Sequence, residues 1–89
     1  MGLRQQFRFK YSATSDVQAF LRTLSHSAVV DDREQFFVFT PLSGPPFTFD
    51  CELNPEGLLS ERAGEYYWFL GIFLEALTGT FGPVEVEDV

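Results

Sequence analysis

Between Phe36 and Leu53 the chain spells an apolar run, a breaker and a second apolar run, and this triplet restricts the fold more than any other feature. Phe36-Phe37-Val38-Phe39 is followed by Pro41, which cannot donate to a strand ladder. Gly44-Pro45-Pro46 then breaks both kinds of regular structure. Phe47, Phe49, Cys51 and Leu53 alternate with Thr48, Asp50 and Glu52, the period of a strand with one buried face and one wet face. Strands are therefore expected over 35–40 and 47–53, with a turn between them.

Phe7, Phe9 and Tyr11 alternate with Arg8 and Lys10, which predicts a further strand near the start. A helix over 15–27 follows. Ser15 and Gln18 have capping-box spacing, and Val17, Phe20, Leu21, Leu24 and Ala28 fall on one stripe. "VVDDRE" reads as a polar connection, and residues 54–64, with Pro55 and Gly57, read as a loop. A second helix is expected at about 61–78, its core stripe Tyr66, Phe69, Leu70, Phe73 and Leu77, with Gly79 as the stop. Val84 and Val86 alternate with Glu85 and Glu87 in a closing strand.

The order β-α-β-β-α-β over a single domain, 1–89, resembles a ferredoxin-like α+β sandwich. That resemblance implies a four-stranded antiparallel sheet in the order 4-1-3-2, with two helices on one face. It sets the basic first strand, with Arg8 and Lys10, between acidic ones carrying Asp50, Glu52, Glu85 and Glu87, so opposite charges meet across each ladder.

In this arrangement the 35–40 strand is an edge. Whichever way it faces, either Phe36 and Val38 or Phe37 and Phe39 stand on the open face. The second helix also has more apolar surface than one stripe requires, with Tyr67, Trp68, Ile72 and Leu74 beside or opposite it. These eight residues form the candidate interface, and a second copy in a twofold homodimer is its simplest occupant. In the competing account, loop 54–64 and the C-terminal strand fold over the helix and leave nothing to cover.

Net charge is −7, and nine of the thirteen acids follow residue 49. Such a chain repels phosphate, which argues against nucleic acid; its charge serves either simple solubility, the commoner role, or a basic protein partner, as an acidic inhibitor or immunity-type protein would have. The single cysteine, Cys51, excludes an internal disulfide and follows the inward parity of its strand. No apolar run approaches the ~18 residues of a membrane helix, and the first ten residues lack a hydrophobic leader core, so a cytoplasmic protein is expected.

Chemistry-bearing patterns are sparse. His26 stands near a helix end, where an imidazolium suits the dipole. Asp50 and Glu52, with Glu85 or Glu87, resemble an acid/base or metal set, but Arg8 and Lys10 between them make neutralisation the simpler account. No phosphate-binding loop, zinc-binding helix or paired-cysteine motif occurs. No catalytic, cofactor-binding or metal-ligating residue is assigned. A third account places a small-molecule pocket under Tyr66, Tyr67 and Trp68.

Overall fold

The computed structural model describes residues 3–89. Its elements are β1 (Leu3–Arg8), α1 (Thr14–Thr23), β2 (Ala28–Asp32), β3 (Phe36–Pro41), β4 (Phe47–Asn54), β5 (Gly57–Gly64), α2 (Tyr67–Phe81) and β6 (Glu85–Asp88). A short 3-10 turn, Leu24–His26, extends α1. The six strands form one sheet in the order β2-β3-β4-β5-β1-β6. Every neighbouring pair is antiparallel.

The four-stranded ferredoxin-like sandwich is thus overturned. The fold is α+β, but two strands join the sheet where a connection and a loop were expected. Residues 28–32 add a strand outside β3, which therefore lies inside the sheet and not at its edge. Residues 57–64 form β5, which separates β4 from β1. The turn between β4 and β5 has a clear local cause. Asn54 Oδ1 accepts from the amides of Glu56 and Gly57, at 3.1 and 2.9 Å, so Pro55-Glu56 is the tip of an Asx-type hairpin. Gly57 has φ +142°, and a Cβ there would lie 2.4 Å from the Phe7 carbonyl oxygen. Only glycine fits where the hairpin returns into β5 against β1.

The charge pairing predicted for β1 survives on one side only. Arg8 stands opposite Glu85 in register and binds Glu87 at 3.2 Å. On its other side Arg8 faces Gly57, and Asp50 stands opposite Glu61 with no basic residue between them.

Both helices pack on one face of the sheet. Phe7, Phe37, Phe39, Phe49, Cys51, Leu58, Phe69, Phe73 and Leu77 are wholly buried, together with most of α1's predicted stripe. Fused aromatic contacts hold the layers together. Phe73 of α2 meets Phe49 at 4.9 Å and Phe7 at 5.7 Å, and Phe20 of α1 at 5.9 Å. Such ring pairs add roughly 0.5–1.5 kcal/mol each beyond area burial.

The helix boundaries also differ from the sequence reading. α1 is preceded by Ala13, with no side-chain cap bond, so the Ser15 capping box is not used. α2 starts six residues later than expected, because 57–64 is strand. Gly79 lies inside α2, and the stop is Gly82 at φ +88°. The sheet's outer strands are short and acidic. β2 carries Asp31 and Asp32, and β6 carries Glu85, Glu87 and Asp88, which discourages further pairing at either edge.

Candidate interaction surfaces

The eight candidate interface residues separate into three groups. Phe37 and Phe39 point at the helices and are wholly buried, so they belong to the core and leave the candidate set. Their neighbours Phe36 and Val38 have the opposite parity and lie half-buried on the sheet face that the helices leave open. Leu74 is partly buried against the core. Tyr67, Trp68 and Ile72 remain outside, at 68, 45 and 38% exposure.

The α2 sequence YWFLGIFLEALTGTF explains this outer surface. Its inner stripe, Phe69, Phe73 and Leu77, meets the sheet, yet only Glu75 among its residues is charged. The opposite arc therefore presents Tyr67, Trp68, Gly71, Ile72 and Gly79 to solvent. Neither segment expected to cover the helix does so. Residues 57–64 are a sheet strand, and β6 pairs with β1. Trp68 lies edge-on to Phe47 at 5.7 Å and to Phe69 at 6.0 Å, with nearly half of its surface still exposed. A Cβ added at Gly71 or Gly79 meets nothing within 4 Å. Glycine inside a helix costs about 0.5–1 kcal/mol relative to alanine, and no contact among the described residues requires it at these two positions.

The uncovered sheet face is a second surface. Across the strands one row reads Asp31, Val38, Asp50, Glu61 and Arg4. The adjacent row reads Phe36, Glu52, Leu59, Gln6 and Glu87. Apolar and acidic side chains thus alternate across the centre of the face. Arg4, Phe36, Asp50, Glu52, Leu59 and Glu61 line a shallow cleft of about 80 Å³ there. Partial burial, and then the charge of Glu61, push the Asp50 carboxyl above its usual range.

The sequence reading assigned no role to Arg62, which the structure places in the core at 1% exposure. Its guanidinium lies over three rings, 5.0 Å from Tyr66, 5.5 Å from Phe49 and 5.7 Å from Phe7. Nη2 donates to Gln5 Oε1, and Gln5 Nε2 donates to Asp88 Oδ1 at 2.7 Å, so an amide links the buried cation to a surface carboxylate. Arg62 Nε and Nη1 and Ser60 Oγ have no partner among the described residues. Burial lowers the Arg62 pKa, yet a guanidinium stays charged at any ordinary pH.

Cys51 is wholly buried, and burial pushes its thiol far above the ordinary range, so the nucleophilic thiolate is suppressed. His26 is exposed in the 3-10 turn. Among the described residues no group of three histidine, cysteine, aspartate or glutamate side chains is placed to hold a metal. Two grooves of about 570 Å³ lie at the Lys10 end, one lined by Lys10, Tyr11, Phe20 and Phe81, the other by Arg8, Phe9, Phe81 and Pro83. Neither involves Tyr66, Tyr67 or Trp68, where a small-molecule pocket was expected. Tyr66 is buried and stacks on Tyr67 at 4.5 Å.

Compared with known proteins, the chain matches no family model, no curated protein and no solved structure. No helix among the described residues is long and apolar enough to cross a membrane.

Proposed function

We propose that this chain is a non-catalytic interaction module that pairs with a second copy of itself through the outer arc of α2. The supporting observation is the exposure of Tyr67, Trp68 and Ile72 around Gly71, a position whose missing side chain leaves open space. Contiguous exposed apolar residues of this kind commonly mark interaction sites. Tryptophan and tyrosine are the residues that most often anchor them.

Charge argues for a second copy as the occupant. A subunit of net charge −7 approaches its twin most readily through a surface with few charges, and the outer arc of α2 carries Glu75 alone. An antiparallel twofold crossing centred on Gly71 lets the helices approach closely. It also keeps the two Glu75 side chains about 12 Å apart along the axis, four residues either side of the centre at 1.5 Å rise.

Light scattering on the purified protein at micromolar concentration tests the reading. The expected particle has twice the 10.1 kDa chain mass. Gly71→Ala gives opposite signs in two measurements. It stabilises the isolated helix by about 0.5–1 kcal/mol while weakening association through the added methyl. A particle of single-chain mass at every concentration, unchanged by Trp68→Glu, rejects the proposal.

A further inference from the structure

We infer that the uncovered face of the sheet is a second docking surface, fitted to a basic amphipathic segment of a partner protein in which lysine or arginine alternates with apolar residues. This inference is independent of the α2 pairing, because the sheet face and the helix layer lie on opposite sides of the molecule.

Three features identify the occupant. The face is unpartnered yet not wholly polar, since Phe36, Val38, Leu59 and Ala63 are half-buried among carboxylates. Its charge is one-sided. Asp31, Asp50, Glu52, Glu61, Glu85 and Glu87 share it with Arg4 and Arg8; Arg8 is already held by Glu56 at 3.4 Å and Glu87 at 3.2 Å, and Asp31 by Arg33 at 3.2 Å, which leaves Asp50, Glu52, Glu61 and Glu85 against Arg4. Asp50 and Glu61 are paired directly across β4 and β5, an arrangement that weakens an isolated sheet and that an arriving cation relieves.

The cleft between them is the right shape for the tip of one long cationic side chain. Lysine and arginine lay their methylene stems on apolar surface and carry the charge at the end. Phe36 and Leu59 offer the apolar floor, while the three carboxylates of Asp50, Glu52 and Glu61 outnumber the single cation Arg4 around the head group. Flanking apolar residues of the partner would then cover Val38 and Ala63. The same field repels nucleic acid and anionic lipid.

The test is a titration of isotope-labelled protein with a synthetic amphipathic leucine–lysine peptide, followed by NMR, with a leucine–glutamate peptide as control. The expected shifts concentrate on Phe36, Val38, Asp50, Glu52, Leu59 and Glu61, weaken with salt and leave Trp68 unmoved. Asp50→Asn with Glu61→Gln is expected to reduce affinity about tenfold, the sum of two partly screened ion pairs. Asp16→Asn with Glu65→Gln, an equal loss of charge outside this face, is expected to change affinity less than about twofold. Equal losses from both double variants, shifts spread over the whole acidic surface, binding of the glutamate peptide, or displacement of the lysine peptide by millimolar magnesium each overturn the inference. So does burial of the face by a second copy of this chain in the absence of peptide.

Discussion

The Arg62 guanidinium lies 5.0 Å from the centroid of the Tyr66 ring, and among the described residues no carboxylate forms an ion pair with it. Its charge is instead spread over three aromatic faces and passed by one hydrogen bond to Gln5. Rings stabilise a desolvated cation by up to about 2 kcal/mol each, and the planar guanidinium is the cation best suited to stacking.

The Gln5 amide is therefore the sensitive partner. Gln5→Leu removes the acceptor and leaves a buried charge with a further orphan donor, which should cost about 2–3 kcal/mol in a urea titration. Arg62→Met, which removes the charge and keeps the volume, should be near neutral or stabilising. A larger loss from Arg62→Met than from Gln5→Leu would mean the cation itself holds the core together.

Phe37 and Trp68 should respond in opposite ways to the same substitution. Phe37 is wholly buried, so Phe37→Glu places an unpaired charge in the core and should cost more than about 4 kcal/mol, visible as loss of cooperative melting. Trp68→Glu, at a half-exposed position, should leave a folded subunit and change only its association. Circular dichroism separates the two outcomes.

Asp50 should make the protein more stable in mild acid. Its folded-state carboxyl titrates above the ordinary value, so the folded form holds its proton more tightly than the unfolded chain. Between the ordinary and the raised value, stability then falls as pH rises. Asp50→Asn should raise the melting temperature at neutral pH, and the difference should vanish once pH drops below the ordinary carboxylate range. A gain that persists there would assign the effect to packing.

The Arg22–Asp32 pair should act in the reverse direction. The Arg22 hydrogen bond, at 2.5 Å, and then the Glu34 amide hold the Asp32 carboxyl below its usual value. The stability it contributes is present above the unfolded value and lost as pH falls through the folded one. Asp32→Asn should abolish that part of the acid transition, read by comparing midpoints of acid unfolding.

Cys51 should be silent to thiol reagents. In the native protein an aromatic disulfide reagent should give no colour over hours, and full reaction should appear only on addition of guanidinium chloride. Rapid native labelling would show that β4 opens.

These expectations also indicate which features the sequence could reveal. The stripe of α1 and the alternation of Phe47 to Leu53 were legible because each separates one apolar face from one polar face. β5 gave no such contrast. Leu58, Ser60 and Arg62 point inward and Leu59, Glu61 and Ala63 outward, so both faces hold the same mixture and no period of two emerges. The hairpin signal lay in Asn54-Pro55-Glu56-Gly57, a turn sequence that specifies a reversal and not merely a loop. β2 was hidden by brevity, with five residues that end in two aspartates. Without these two strands β3 becomes an edge, and its buried phenylalanines read as surface. The excess on α2 was legible, since no choice of inward stripe uses Tyr67, Trp68 and Ile72 together with Phe69, Phe73 and Leu77.

A ribosome makes Leu3–Arg8 before any other strand, yet both of its neighbours, Gly57–Gly64 and Glu85–Asp88, come from the second half of the chain. The meander from Ala28 to Gly64 can zip together as it emerges, each strand beside the one just made. Leu3–Arg8 must wait with Phe7 bare until Gly57–Gly64 has emerged. Emergence of Glu85–Asp88 is thus the event that completes the sheet, and a nascent chain stalled short of Glu85 would carry a vacant berth beside Leu3–Arg8.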